Sequence, residues 1–600
     1  MEVLVSRALP RSRKSLALAV GTALLAPLAL ACPAAADDPT AGQYTVTALE
    51  FTVVAGGDRT CAIDADLYRP AGVDAARPAP AVLTTNGFGG SKADGSTDAT
   101  AKAFAARGYV ALAYSGLGFG KSGCLISLDD PQLDGRAASR LIDFLAGTRA
   151  ADDGTVIDHV LKDGAGDPRV GMIGGSYGGA VQLATAAVDH RVDALVPLIT
   201  WNDLNHSLDP NNATGTTVPG AFKWQWTNGF FLIGEGQPLI NPGIDPSRFG
   251  SLTCLHFVAR ACDTQRLLNS GRYPADRVDE MQRFARSVSP VSYLPQVEAP
   301  TLFVQGQADS LFTLHEAQAS YETLKAQGTE AKMIWQSWGH SGGMTDPASG
   351  ELNLGEGNFE TSYVGKRILA WFDRYLHKNA NTDTGPAFAY YRDWRSGYGE
   401  AGAVPPLSRK LYLSGDGKLV DTPSQVAPGS RSYANRLFPT SHSESSLAGV
   451  LGLPDPEPYD LRGTHLSWRG EPLAGPVDVV GAPRARLKVV SPEAERVQDS
   501  DDAADKLVLF AKVYDLAPDG TRTLVNRLVA PVRVPDVTRP FTVELPGIVH
   551  RYEAGHRLEF VIAASDTAYF GNRGIKPVTV VSAPDDMGVL EMPVVGGRQS

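Results

Sequence analysis

The chain is poor in cysteine, with five in 600 residues. Cys32 lies in an N-terminal leader, which leaves Cys61, Cys124, Cys254 and Cys262. Their spacings fit no zinc pattern, which argues against a Cys-ligated structural metal. A basic excess is also missing: 55 Lys and Arg stand against 66 Asp and Glu, a formal charge of −11. That balance argues against a nucleic-acid surface. A membrane anchor is not expected either. The apolar run Leu16 to Ala31 follows Arg7, Arg11, Arg13 and Lys14 and ends in Ala34-Ala35-Ala36, the pattern of a secretory signal peptide. The leader has no twin arginine, so general secretion is expected, and Ala29-Leu30-Ala31-Cys32 is a poor lipoprotein site. Cleavage after Ala36 would remove Arg7, Arg11, Arg13, Lys14 and Glu2 and take the charge to −14. An even number of cysteines in an exported chain suggests two disulfides. Cys254 with Cys262 would close a short loop, and Cys61 with Cys124 would tie an early strand to a later loop. Spacing alone leaves the connectivity, and the alternative of buried free thiols, open.

What is present is an ordinary globular composition, 43% hydrophobic and 20% charged, over a length that calls for two or three domains. Tyr44 to Val54 and Cys61 to Tyr68 read as a hairpin. From Ala81 to Ile199 buried strands (Ala81 to Thr85, Val110 to Tyr114, Val170 to Gly174, Ala194 to Ile199) alternate with helices (Thr97 to Arg107, Arg136 to Gly147, from Ala180 on). This is the rhythm of a parallel sheet with crossover helices. It breaks between about 201 and 299, where Trp201, Trp224, Trp226, Phe230 and Phe231 and helical stretches such as Asp276 to Arg286 suggest a cap over the strand ends. It resumes with Thr301 to Gln305, Leu314 to Gln327, Lys332 to Gln336 and Tyr363 to His377. Short β segments with turns then continue to the end. The expected organisation is a leader over 1–36, an α/β domain over 37–380 with the cap inserted, and an all-β sandwich or jelly roll, galactose-binding-like in type, over 381–600.

The chemistry centres on Gly174-Gly175-Ser176-Tyr177-Gly178-Gly179. A buried strand, a sharp turn and a helix form the setting of a G-x-S-x-G nucleophile elbow. Gly339-His340-Ser341-Gly342-Gly343 fits the same letters but runs into Met344-Thr345-Asp346-Pro347, which cannot continue as a helix. An activated serine needs a base and an orienting acid, in the order Ser, acid, His for this architecture. Asp309 follows one strand end and His340 another, so Ser176, Asp309 and His340 are the expected triad. Tyr177 and Phe88 are expected to supply the backbone N–H groups of an oxyanion hole, Phe88 from the glycine-rich loop Asn86-Gly87-Phe88-Gly89-Gly90, which Asn86 would brace. Such a mechanism requires no cofactor.

On these residues, with Leu67-Tyr68-Arg69-Pro70, Ser115 to Gly123, Trp371-Phe372-Asp373-Arg374-Tyr375-Leu376, Phe510-Ala511-Lys512-Val513 and His550 to Leu558, the chain resembles peptidase family S15, the cocaine esterase or X-prolyl dipeptidyl-peptidase family. The resemblance implies an α/β-hydrolase with a helical cap and a C-terminal jelly roll. It also implies acyl hydrolysis of proline-containing peptides or of esters. Family members often carry a tyrosine, whose hydroxyl joins the oxyanion hole, where this chain has Phe88. Phenylalanine leaves both donors to the backbone. The first expectation is a secreted dipeptidyl-peptidase-like serine peptidase acting on a small peptide. The second is a carboxylesterase or amidase on the same machinery, and the third a non-catalytic surface-binding protein. A peptidase needs a carboxylate or carbonyl for the substrate's free amine, for which the cap offers Asp203, Asp209, Glu235 and Asp245. A neutral cap pocket would instead favour esters.

Overall fold

The computed structural model describes residues 43–56, 59–240, 245–341, 347–446 and 453–596, so the expected leader and its cleavage site lie outside the described residues. The elements of the first domain, in chain order, are β1 (Tyr44–Val54), β2 (Thr60–Pro70), β3 (Ala81–Thr85), α1 (Gly95–Ala106), β4 (Val110–Tyr114), α2 (Arg136–Leu145), β5 (Val170–Gly175), α3 (Tyr177–Ala186) and β6 (Val192–Leu198). The inserted helices α4 (Leu204–Leu208), α5 (Trp224–Ile240), α6 (Ala259–Asn269) and α7 (Ala275–Ser287) follow. The chain then returns through β7 (Thr301–Gly306), α8 (Leu314–Gln327), β8 (Ala331–Gln336), α9 (Tyr363–Tyr375), β9 (Phe388–Arg392) and β10 (Gly397–Ala401).

The ten strands form one sheet in the order β1-β2-β4-β3-β5-β6-β7-β8-β9-β10. From β4 to β9 every pairing is parallel, while β1, β2 and β10 add antiparallel edges. A parallel sheet with helices on both faces must be apolar on both faces. Every residue of β3, β4 and β7 is buried accordingly. Phe104, Phe372 and Trp371 fill one side and Leu141, Phe144 and Leu183 the other. The sheet runs past the boundary expected at 380. Phe388-Ala389-Tyr390-Tyr391-Arg392 alternates too weakly to be separated from the β-rich tail by sequence, yet it pairs with Met333 to Trp335 of β8.

The carboxyl ends of β3, β5, β7 and β8 carry the loops of Phe88, Ser176, Asp309 and His340, as crossover topology requires of a ligand crevice. The cap enters after β6 and leaves before β7, directly over these ends. Glu316 of α8 fastens its entrance: its carboxylate accepts from Asn202 N (2.7 Å) and Asp203 N (3.1 Å) and meets His206 Nδ1 at 2.6 Å.

Beyond Ala401 the chain is β-rich and antiparallel. Of its two five-stranded sheets, one combines Arg409–Leu413, Leu419–Val420, Val589–Met592, Arg484–Leu487 and Phe541–Glu544, and the second combines His465–Arg469, Arg557–Ala563, Val508–Leu516, Arg522–Leu524 and Ala530–Arg533; smaller antiparallel sheets accompany them. Trp468, Leu487, Phe560, Ile562 and Leu590 pack in their shared core. This domain also holds the cap. Buried Arg533 donates to Pro219 O and Gly220 O, and Trp224 Nε1 donates to Thr567 O at 2.9 Å.

Two disulfides are formed, Cys61–Cys124 and Cys254–Cys262. The first joins the start of β2 to the loop after β4 across 63 residues. Closing a loop of that length removes about 4 kcal/mol of unfolded-chain entropy. Replacing both partners by serine is expected to lower the unfolding free energy by up to about that amount. Chemical denaturation of the variant against the parent checks this.

Candidate active site

Ser176 stands at φ 57°, ψ −119°, between β5 and α3. Its N–H donates to Leu198 O at 2.9 Å, which fixes the turn against the neighbouring strand. The glycines are there because of space. A Cβ on Gly174 would lie 2.7 Å from Gly178 O, and one on Gly178 would lie 2.5 Å from Thr85 O. Both are closer than real contacts allow, so the sharp turn needs both positions bare.

His340 Nε2 lies 2.8 Å from Ser176 Oγ, and His340 Nδ1 lies 2.7 Å from Asp309 Oδ2. An ionised carboxylate can only accept. Nδ1 therefore carries the proton, and Nε2 is left to accept from the serine hydroxyl. Asp309 is held in turn: its Oδ1 accepts from Leu311 N (3.0 Å) and Phe312 N (2.8 Å), so it closes its own turn rather than capping α8. The imidazole packs in T-shaped contact with Phe312 (centroids 5.1 Å) and with Trp226 (6.2 Å). Gly339 is required here as well, since a Cβ would lie 2.5 Å from Asp309 Cβ. All three expected triad side chains thus meet in one hydrogen-bonded line. The competing Ser341 accepts from Ser310 N at 2.9 Å through its hydroxyl, and the segment that follows it lies outside the described residues.

Phe88 and Tyr177 both border the cavity that opens onto Ser176. Neither backbone N–H is engaged by an acceptor among the described residues. Tyr177 N begins α3, where the helix dipole adds partial positive charge. Asn86 is fully buried and ties the Phe88 loop down: Gly116 N donates to its Oδ1 (3.0 Å), and its Nδ2 donates to Gly87 O (2.8 Å). The Phe88 ring takes part in an aromatic cluster with Phe119, Tyr177, Phe230 and Phe257.

The four cap acids are placed elsewhere. Asp203 caps α4, Glu235 accepts from Leu255 N, and Asp245 accepts from Ser247 N. Asp209 is buried, with Oδ2 accepting from Gly220 N at 3.2 Å. Among the described residues, no carboxylate lines the cavity at Ser176; its walls include Phe88, Leu128, Trp201, Phe230, Phe231 and Phe312.

Two site residues carry no local sequence signal. Glu444, from the β-rich domain, is buried and bonds to Ser310 Oγ and, at 3.3 Å, to Trp226 Nε1. Ser310 follows Asp309 and is bonded to Ser341, which follows His340. One carboxyl from the distant domain thus ties the acid loop, the base loop and the cap together. Burial pushes its pKa up, while its hydrogen bonds and Lys223 oppose the shift. Lys223 Nζ donates to Ser310 O (2.7 Å) and Leu311 O (3.0 Å), and burial brings its pKa down to about 8.

Residues 57–342 match the model of the X-Pro dipeptidyl-peptidase (S15 family), and residues 378–578 match that of the X-Pro dipeptidyl-peptidase C-terminal non-catalytic domain. Together the two matches span most of the chain, which is a hydrolase and belongs to the S15 family. Among solved structures, an aminopeptidase from a marine sediment Thaumarchaeota archaeon shares 17% identity at a TM-score of 0.63, over 92% of this chain and 97% of that one. An α-amino acid ester hydrolase shares 18% at 0.63, over 96% and 100%. A CocE/NonD family hydrolase from Staphylococcus aureus shares 14% at 0.59, over 92% and 93%. At these identities the likeness establishes a common fold. No curated protein sequence matches the chain.

Removing the Glu444 tie should loosen both loops at once. Glu444→Ala is expected to lower kcat by about tenfold to a hundredfold with little change in KM, the scale expected for a misplaced reacting group. Glu444→Gln, which keeps an acceptor, should recover most of the loss. Steady-state kinetics on an ester substrate checks both.

Proposed function

We propose that the protein is an exported serine hydrolase that cleaves esters of apolar acyl groups through Ser176, His340 and Asp309. The observation that carries the ester reading is the wall of the cavity at Ser176, which is aromatic and aliphatic and lacks a carboxylate among the described residues. A free α-amine in such a site would be a desolvated charge without a partner, which is strongly unfavourable. An uncharged acyl group gains from the same surroundings.

In the proposed reaction His340 Nε2 takes the proton of Ser176 Oγ as that oxygen attacks the ester carbonyl carbon. Asp309 holds the imidazole in the required tautomer and stabilises its cation. The backbone N–H groups of Tyr177 and Phe88 receive the oxyanion. The C–O bond to the leaving alcohol then breaks, and the alcohol oxygen takes the proton from His340. Water, deprotonated by the same histidine, releases the acid and restores Ser176. The four buried cysteines, paired as disulfides, and the leader pattern support export.

A second reading is favoured by the description of the matching family, X-Pro dipeptidyl-peptidase. It would require a proline-containing peptide to find an amine acceptor outside the cavity walls described above. Initial rates on p-nitrophenyl butyrate and on Ala-Pro-p-nitroanilide separate the two. The ester is expected to turn over and the anilide to remain uncut. Ser176→Ala should lower kcat by at least about ten-thousandfold. Anilide cleavage that depends on Ser176 and on a free amine would replace the ester reading with the peptidase.

A further inference from the structure

The cavity at Ser176 does not stand alone. A second cavity lies beyond it, and the two share Leu128, Leu204, Leu208, Thr227 and Phe231 as walls. The second cavity continues between α6 and α7 to Ala261, Leu268, Met281, Phe284 and Ala285. Part of its polar lining is engaged: Asn205 Nδ2 donates to Gln282 O, Gln265 Nε2 donates to Asn228 Oδ1, and Asp209 Oδ2 accepts from Gly220 N, while Asp209 Oδ1 and Thr227 Oγ1 have no partner among the described residues. Asp209 is the acid on this far wall, and burial pushes its pKa up to about 6.

The side of the scissile bond that enters this space follows from the site's geometry. The leaving oxygen must end within reach of His340 Nε2, which gives it a proton. His340 is not among the residues lining either cavity, whereas Ser176, Tyr177 and Phe88, which bracket the carbonyl, line the first. We infer on this ground that the carbonyl's acyl substituent enters the paired cavities and the leaving oxygen stays on the histidine's side.

We propose that the two cavities form one acyl-chain channel through the cap, and that the substrates are esters of medium- to long-chain fatty acids. The inference rests on the ester reading above and extends it to a substrate class. Each methylene buried in such a channel adds favourable transfer free energy, and this continues until the channel is full.

The test is a series of p-nitrophenyl esters from acetate through butyrate and octanoate to palmitate, below their micelle concentrations, with two opposed variants. In the wild type kcat/KM should rise at least about tenfold from acetate to octanoate. Ala285→Trp, which fills the far cavity, should lower the octanoate-to-acetate ratio by tenfold or more. Phe284→Ala, which enlarges it, should move the optimum to a longer chain. Thermal melts establish that each variant is folded, and opposite shifts from two substitutions on one helix cannot come from general loosening. Acetate as the best ester, or an unchanged ratio in both folded variants, would overturn the channel while leaving an esterase. Preference for α-amino esters over octanoate would assign the far cavity to Asp209 and an amine instead, and would also overturn it. Failure of every ester alongside Ser176-dependent cleavage of Ala-Pro-p-nitroanilide would overturn the ester reading itself.

Discussion

The backbone at Ser176 leaves the sheet in a conformation that costs a non-glycine residue about 1–3 kcal/mol. Gly174 and Gly178, two residues to either side, are too crowded for a Cβ. The fold offsets this cost with the hydrogen bond from Ser176 N to Leu198 O and with the burial of every residue of α3 behind it. The strain has two consequences that a relaxed turn would lack. The hydroxyl is lifted to 2.8 Å from His340 Nε2, and Tyr177, the first residue of α3, borders the same cavity as Ser176. Strand, turn and helix thus fix the proposed nucleophile and oxyanion donor with a single backbone feature.

The other loops are positioned relative to that turn by polar contacts that lie behind the reacting atoms. Asp309 is fixed by two backbone amides, and the turn after it by Lys223 and Glu444. These groups come from three regions of the chain: the strand ends, the cap and the β-rich domain. This gives the C-terminal domain a physical role beyond bulk, since it supplies a buried carboxyl between the acid and base loops and anchors the cap through Arg533 and Thr567. In front of the reacting atoms the lining is apolar. Polar ties behind and an apolar wall ahead keep the site rigid without offering a charged group to the substrate.

Much of this was legible in the sequence, and the reasons are local. Full burial on both sheet faces gives short continuous apolar runs, so Ala81–Thr85 and Val110–Tyr114 could be bounded to the residue. The elbow glycines are required by sterics within a few positions, and strand-end placement then singles out Asp309 and His340. Elements set by distant contacts were harder to read. Phe388–Arg392 belongs to the sheet through its pairing with β8, and its own letters resemble the β-rich tail. Glu444 is one acid among 66 Asp and Glu, and only the packing of the β-rich domain brings it to Ser310. The apolar cavity at Ser176 is assembled from α4, α5, the start of α3 and the loops of Phe88, Leu128, Trp201, Phe257 and Phe312, with no short motif to mark it.

The central claim is that Ser176 is a nucleophile activated by His340. The most direct measurement is labelling of the intact protein with a fluorophosphonate, followed by peptide mass spectrometry. The account predicts one stoichiometric adduct on Ser176, with labelling strongly slowed in His340→Ala and absent in Ser176→Ala. An adduct on Ser341 or another serine, or labelling of Ser176 at the same rate without His340, would contradict it.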